Sequence, residues 1–281
     1  MTSSPTVKRR RLSAALQKLR IAAGMEPKDA AKRLEWDQTK VHRIERNKWV
    51  RPDPNDIRML LDLYGVTDER QREGLLTLAR ESRQRGWWAD YQDVFRGSFP
   101  DFEAGAAVIQ TYEIACIPGL LQTERYAHAI IEGAHLENDV NRRVQARLAR
   151  QGVLNRDSPP QFWAVIDEAA LRRVVGGPEV MAEQLLHIVK VAEQPNVAVQ
   201  VLPFDAGAHA ALMGSFVILD FESDLDPSIV YVETETDALY LEEAPVLHRY
   251  NVVYSHVQSR SLSPEESLKF MESLAKQLQQ R

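Results

Sequence analysis

The segment Asp37–Arg46 has a helical pattern whose apolar stripe is too narrow to make a helix stable by itself. Val41 and Ile44 lie three residues apart on one side, and polar or charged side chains occupy the rest. Asp37 can accept an orphan backbone N–H, so it predicts the start of this helix. In isolation the pattern is typical of a solvated surface helix. Such a helix must be held by its neighbours, and the flanking segments therefore decide what it is.

The flanking segments predict three further helices with apolar inner faces. Gly24 and Gly65 end two of them, and Pro27 suits the first turn of another. The inner faces are Leu12, Leu16, Leu19 and Ala23 in the first, Ala30, Ala31 and Leu34 in the second, and Ile57, Leu60, Leu61 and Tyr64 in the last. The four helices together predict a small all-α domain.

This N-terminal segment is basic, whereas the rest of the chain is acidic. Residues 1–65 hold 15 Lys and Arg against 8 Asp and Glu, a net charge of +7, and the remaining residues hold 20 against 32, a net charge of −12. Only the first segment is therefore expected to approach a polyanion. The cations of Lys8–Arg11, among them Arg10 and Arg11, are either a disordered solubilising tail or an arm that follows a phosphate backbone.

The order of these residues resembles the helix-turn-helix domain of XRE-type bacterial repressors. The resemblance rests on Leu16-x-x-Leu19-Arg20, Ala23-Gly24-Met25, Ala30-x-x-Leu34, Val41-x-Arg43-Ile44-Glu45-Arg46, Pro52 and Leu60-Leu61-x-x-Tyr64-Gly65-Val66. It implies that the third helix, residues 37–46, enters the major groove of double-stranded DNA. It also implies a homodimer that binds inverted half-sites, with Glu45 turned inward as a brace.

By position in this resemblance, one set of polar side chains is expected to face DNA. These are Gln38, Thr39, Lys40, His42 and Arg43, whose amide and cationic groups suit base edges and phosphates. Arg43 could instead brace an acid within the domain, whereas Lys40 and His42 are expected to be free. The chain departs from the family at Glu26-Pro27, where relatives commonly carry Thr-Gln, and Lys28 could replace the missing phosphate contact.

The sequence predicts a helix-turn-helix domain at residues 8–85, a connector at 86–103 and a regulatory domain at 104–281. The connector is rich in aromatic residues, which argues against a flexible linker. These residues are expected to dock the DNA-binding domain onto the rest of the chain, or to form a surface for self-association.

Beyond residue 104, helical and strand patterns are mixed. Residues 104–117 are expected to begin as helix and continue as strand, and Thr123 and Ser263 are candidate helix caps. Residues 197–203 alternate apolar and polar side chains, as strands do, and parts of 216–221 and 229–233 follow them. The pattern predicts an α+β class in which the C-terminal domain has several short antiparallel strands.

This part of the chain resembles the domain of unknown function that follows the helix-turn-helix in many actinobacterial regulators. The motifs are Pro118-Gly119-Leu120-Leu121-Gln122-Thr123, Arg147-x-x-Arg150-Gln151, Asp167-Glu168-Ala169, Gln184-Leu185, Val199-Gln200-Val201-Leu202-Pro203 and Val230-Tyr231-Val232-Glu233. The resemblance implies a transcription regulator, often encoded beside a small partner protein that modulates it. It implies no established reaction or ligand.

Two polar sets in this domain are candidate partner- or ligand-binding residues. Arg143, Arg147 and Arg150 follow one helical face and could grip a carboxylate, either in the domain itself or on a partner. Glu233 and Glu235 alternate along a strand and could meet a basic peptide. For each set the alternative is an ordinary solvated surface.

The sequence offers no catalytic constellation. Cys116 lies in an apolar stretch typical of a buried inert thiol, and the histidines show no metal-binding spacing. Phosphate-binding and nucleophile-elbow motifs are absent. We therefore expect a cytoplasmic regulator, not an enzyme, with no metal, cofactor or membrane partner. The alternative is an enzyme or toxin-like body fused to an autoregulatory DNA-binding domain.

Overall fold

The structure is a computed structural model that describes residues 5–49, 51–83, 86–91, 93–95, 97–134, 139–223, 226–234 and 237–280. The chain forms two compact units. One holds Met1–Asp90 with Glu222–Asp226, and the other holds Tyr91–Phe221 with Pro227–Arg281. The division falls inside the connector that the sequence predicted at residues 86–103.

The N-terminal unit is helical, as predicted. Its helices are α1 (Pro5–Ala22), α2 (Pro27–Arg33), α3 (Gln38–Glu45), α4 (Pro54–Leu63) and α5 (Glu69–Glu81). The predicted inner faces meet in one apolar core, which includes Leu12, Leu16, Ala30, Ala31, Val41, Ile44, Ile57, Leu60 and Leu61. The short helices α2 and α3 are stable only because this core holds them.

Local signals explain where these helices begin and end. Asp37 accepts a hydrogen bond from the backbone N–H of Thr39 at 2.8 Å and so caps α3, as predicted. Asp68 caps α5 in the same way. Gly24 and Gly65, with φ of +66° and +70°, follow α1 and α4 in the left-handed conformation that glycine adopts without steric cost.

The C-terminal unit alternates helices and strands. The helices are α6 (Phe99–Gly105), α7 (Glu124–Gly133), α8 (Val140–Gln151), α9 (Glu168–Arg172), α10 (Pro178–Val191), α11 (Ala244–Ser259) and α12 (Pro264–Gln279). The strands are β1 (Val108–Glu113), β2 (Gln161–Asp167), β3 (Val197–Leu202), β4 (Phe216–Asp220), β5 (Ile229–Glu233) and β6 (Ala238–Leu241). The α+β class is confirmed, and the caps at Thr123 and Ser263 are present.

The strands form one mixed sheet in the order β3-β2-β1-β4-β5-β6. The antiparallel prediction holds for the pairings β1–β4, β4–β5 and β5–β6. It is wrong for β1–β2 and β2–β3, which are parallel. The helices α7 and α8 lie in the chain between β1 and β2, and α9 and α10 between β2 and β3, which gives the chain the long crossovers that parallel pairing requires.

The aromatic residues of the connector and the sheet pack together within the C-terminal unit. The ring of Phe99 on α6 stacks on Tyr231 of β5 with centroids 4.0 Å apart, and Phe102 lies 5.7 Å from Tyr240 of β6. A separate cluster packs Tyr112 of β1 and Phe216 of β4 against Tyr254 of α11. Since Tyr231 and Tyr112 belong to different clusters, α6 and α11 cover different parts of the sheet.

Candidate functional site

The polar face of α3 is exposed. Val41 and Ile44 are buried in the helical core, whereas Gln38, Thr39, His42 and Arg43 are solvent-exposed. In the part of the chain that the structure describes, His42 and Arg43 make no ion pair or side-chain hydrogen bond. The face therefore presents amide, imidazole and guanidinium groups that are available to a ligand, whereas the Thr39 hydroxyl donates to the Asp37 carboxylate and can only accept.

A buried ion pair fixes α3 to α1. The guanidinium of Arg20 donates to both carboxylate oxygens of Glu45, at 2.7 and 3.0 Å, and to the carbonyl oxygen of Met25 at 2.5 Å. Both side chains are less than a tenth exposed. The prediction that Glu45 turns inward and braces the fold is confirmed.

Lys40 is engaged within the domain. Its ammonium group lies 2.8 Å from Asp56 Oδ1 on α4 and 3.8 Å from the centre of the Trp36 ring. The expectation that Lys40 is free is therefore wrong, because a carboxylate 16 positions along the chain comes within reach only when α4 packs. A DNA phosphate would have to compete with Asp56 for this cation.

A shallow groove lies between the starts of α2 and α3. Four of the predicted DNA-contacting residues line it, namely Lys28, Gln38, Thr39 and His42. Glu26 and Pro27, where the chain departs from the family pattern, line it as well. Lys28 is exposed at this groove, where it could meet a phosphate. The carboxylate of Glu26 would oppose a phosphate at the same place.

The basic run near the N-terminus is neither a tail nor an arm. Lys8–Arg11 lie inside α1, and Arg10 is buried. Lys8 pairs with Glu81 at 3.1 Å, and Arg11 donates to Asp226 at 2.6 and 3.0 Å. The run was misread because a cluster of cations does not reveal which acids fold against it. The guanidinium groups of Arg10 and Arg11 are thus held within the protein.

A row of polar residues crosses one end of the sheet in the C-terminal unit. Tyr112 of β1 pairs with Phe216, and Val217 of β4 pairs with Tyr231. When both registers are continued, Ser215 falls beside Glu113 on one side and beside Glu233 on the other. Residues paired across neighbouring strands share a face of the sheet, so these three side chains lie together.

Two arginines of α8 belong to the same cluster. Arg150 makes a bidentate ion pair with the buried Glu103 at 2.8 and 2.9 Å and lies over the ring of Phe99. Arg147 donates to the side-chain oxygen of Gln122 at 3.0 Å, and burial lowers its pKa. Arg143 is partly buried one turn earlier. Arg150 thus binds a carboxylate within the domain. The sequence left open whether that carboxylate would lie in the domain itself or on a partner.

The acids of the cluster differ in their surroundings. Burial raises the pKa of Glu113 to about 7, although hydrogen bonds from Ser215 and Thr111 act in the opposite direction, and the nearby Glu233 raises it further. Glu233 is exposed at the end of β5. Glu235, its predicted companion, lies outside the described residues. Glu113 and Glu103 were not among the predicted site residues, although an acid within or beside the apolar run 104–117 was a usable signal.

Cys116 lies next to this cluster. Its side chain is partly buried, and burial raises the pKa of the thiol to about 12, with a further contribution from Glu113. The thiol is therefore protonated at neutral pH and is a poor nucleophile in that form.

Replacing Glu113 with glutamine should change how stability depends on pH. The folded protein retains a proton between pH 4.5 and about 7 that the unfolded chain has lost, so rising pH lowers the free energy of unfolding over that range. Glu113→Gln has no such titration, so its free energy of unfolding should not fall in this way. Relative to the wild type, the free energy of unfolding of Glu113→Gln should rise by about 1–2 kcal/mol between pH 5 and pH 8. Urea unfolding at several pH values measures it. Glu193→Gln, an exposed acid after α10, should follow the wild-type curve. Parallel curves for Glu113→Gln and the wild type would contradict the assignment.

Among the residues that the structure describes, no three His, Cys, Asp or Glu side chains are grouped so that they could hold a metal ion. No helix in the same ranges has the length and apolar character needed to cross a membrane.

Comparison with known families assigns both parts of the chain. Residues 11–74 match a helix-turn-helix domain, and residues 97–273 match a domain of unknown function (DUF5753). No curated protein and no solved structure matches the chain. The predicted order, an XRE-type helix-turn-helix followed by such a C-terminal domain, is confirmed. Since the second match spans more than half of the sequence, the chain belongs to the family defined by this domain of unknown function and carries a helix-turn-helix domain before it.

Proposed function

We propose that the protein is a transcription regulator that reads a specific DNA sequence with α3 and responds to a small partner protein or ligand through its C-terminal domain. The helix-turn-helix domain makes it a DNA-binding regulator. The observation that carries the finer proposal is the exposed polar face of α3, on a helix whose orientation the Arg20–Glu45 pair maintains. Side chains held at defined angles are what base-specific hydrogen bonding requires.

The geometry ranks the residues on this face. Arg43, His42 and Gln38 are exposed and available to bases, whereas Lys40 already has Asp56 as a partner. We therefore assign base reading to Arg43 and Gln38, and phosphate contact to Lys28. In this assignment Lys40 contributes mainly by holding α3 against α4.

Arg43→Ala should weaken binding to the preferred site far more than binding to random DNA. Loss of a base-reading arginine costs about 1–3 kcal/mol of discrimination, roughly a 5- to 150-fold loss of affinity for the preferred site. The site is first selected from a random-sequence library with the full-length wild type, and both affinities are then measured at one salt concentration.

Arg70→Ala provides the matched control, because Arg70 is an exposed arginine on α5, a helix that packs mainly against α1 and α4. It removes the same charge and should weaken specific and random DNA equally, by about threefold or less. Equal losses for Arg43→Ala on the two DNAs would show that Arg43 contacts only the backbone or no DNA at all.

We further propose a homodimer on inverted half-sites about one helical turn apart, as XRE-type domains generally bind. We assign the C-terminal domain a signalling role in the cytoplasm rather than a catalytic one. The proposed partner is tested by copurification of the protein with the product of the neighbouring gene. Binding of the protein to the promoter is then compared in the presence and absence of that gene product. If nothing copurifies and promoter binding is unchanged, the small-protein version of this proposal fails.

A further inference from the structure

We infer that Arg147, Glu113 and Glu233 of the C-terminal unit bind a small zwitterion that carries one carboxylate and one ammonium group, such as a free amino acid. The inference deepens the proposed signalling role of this domain. It rests on that role for its consequence at DNA, but the binding itself does not depend on it.

Arg147 supplies the part of the site that takes a carboxylate. A guanidinium has five N–H donors, and the described contacts of Arg147 provide one acceptor, the side-chain oxygen of the buried Gln122. Burial penalises this charge. An ionised acceptor would offset that penalty, and a carboxylate matches the fork of the guanidinium in a bidentate contact.

Arg150, three residues further along α8, is an arginine of the same helix whose guanidinium already has a carboxylate partner. Its Nε and Nη2 atoms both donate to Glu103, which is itself 3% exposed. Arg150 therefore has its anion inside the protein. Arg147 donates to a neutral amide instead, so an external carboxylate would give it the ionised partner that Glu103 gives Arg150.

Glu233 supplies the carboxylate that takes an ammonium group, and Glu113, whose pKa burial raises to about 7, offers a further oxygen acceptor beside it. They lie on the two strands that flank Ser215, and the charge of Glu233 acts on the ionisation of both Glu113 and Arg147. A simple carboxylate ion would meet Arg147 but would be repelled by Glu233. A simple amine would meet Glu233 but leave Arg147 without its anion. A molecule with both charges a few ångströms apart complements all three side chains.

The cluster is open to solvent at one side. Glu233 is exposed, and Glu113 and Arg147 are partly exposed. A small ligand can therefore reach the charges without unfolding the sheet. Glu233 at the rim is the natural partner for the ammonium group, because its carboxylate is the exposed member of the row.

Titration calorimetry on the full-length protein tests the inference, with the twenty L-amino acids as individual probes and with acetate and ethylamine as single-charge probes. At least one amino acid should bind at least tenfold more tightly than either single-charge probe. Arg147→Gln and Glu233→Gln should each weaken that binding at least tenfold. Arg249→Gln, an exposed arginine on α11, is the matched control and should leave it unchanged.

Arg147→Lys distinguishes a loss of ligand binding from a failure to fold, because lysine keeps the positive charge but cannot make the bidentate contact of a guanidinium. It should melt like the wild type and still bind the amino acid at least tenfold more weakly. The inference is overturned if none of the twenty probes binds, or if binding survives in both Arg147 variants. It is also overturned if the neighbouring gene's product, and no amino acid, requires Arg147 for binding.

The DNA experiment separates this inference from the proposed function. If an amino acid binds through Arg147 and the affinity for the selected DNA site is unchanged, the ligand site stands and the proposed modulation by that ligand fails. If no amino acid binds while Arg43 still reads the selected site, the ligand site fails and the DNA-reading role stands.

Discussion

Glu45→Ala should destabilise the N-terminal unit by about 3–5 kcal/mol, the cost of breaking a buried ion pair by removing one partner. Arg20 would keep its positive charge in a position that is almost closed to solvent, with the Met25 carbonyl oxygen as its remaining acceptor. Since small domains have total stabilities of about 5–15 kcal/mol, such a loss removes a large share of the folded population on heating. Hydrogen exchange of the α1–α5 peptides, followed by mass spectrometry, measures the effect separately from the C-terminal unit.

Two comparisons identify burial of the charge as the cause. Asp62→Ala breaks the more exposed pair between Asp62 and Arg72 and should cost less than about 1 kcal/mol. The double variant Arg20→Met with Glu45→Leu removes both charges and should recover much of the stability that Glu45→Ala loses. If Glu45→Ala and Asp62→Ala cost the same, the buried pair is not the brace of α3.

The second large effect is expected from Glu103→Ala in the C-terminal unit. This substitution leaves the Arg150 guanidinium without its bidentate partner, beside Phe99 and close to Gly119, and should cost about 3–5 kcal/mol. The loss should appear as faster hydrogen exchange in peptides from α6, α8 and the sheet, with α1–α5 unchanged. Such a loss would show that Glu103 and Arg150 form a structural pair. The ligand site is assigned to the neighbouring Arg147 instead.

Glu179→Ala is the matched control for Glu103→Ala. It removes one of the two exposed carboxylates that contact Arg125, at 3.0 Å, and leaves Glu183 at 2.8 Å. Its effect should be below about 1 kcal/mol, because exposed pairs are hydrated and interchangeable. If Glu103→Ala lowers the free energy of unfolding by as little as Glu179→Ala does, then solvent already hydrates the Arg150 guanidinium in the folded protein.

The helices of the N-terminal unit were predictable because their determinants are local. Apolar spacing identified the inner faces, Asp37 marked the start of α3, and Gly24 and Gly65 marked the ends of their neighbours. Each of these signals acts over a few residues, which is the range that a sequence pattern can report. The inward turn of Glu45 came from the family resemblance, and its partner Arg20 came only from the fold.

The mixed sheet was less predictable for a physical reason. An alternating pattern shows that a segment is a strand, but the neighbour of that strand and its direction depend on the crossovers. The parallel pairings of β1, β2 and β3 followed from the helices between them. Since the register was unknown, nothing in the sequence placed Glu113, Ser215 and Glu233 in one row.

By itself, the sequence determined the helical domain with its polar recognition helix, the α+β character of the rest, and the polar residues available for function. Only the tertiary structure decided which of those residues are occupied. Lys40 faces Asp56, and Arg150 faces Glu103, 47 positions away, whereas Arg43 is exposed and Arg147 has one neutral acceptor. The physical reason is that a charge is satisfied by whatever the fold brings within about 3 Å, and that distance is unrelated to separation along the chain.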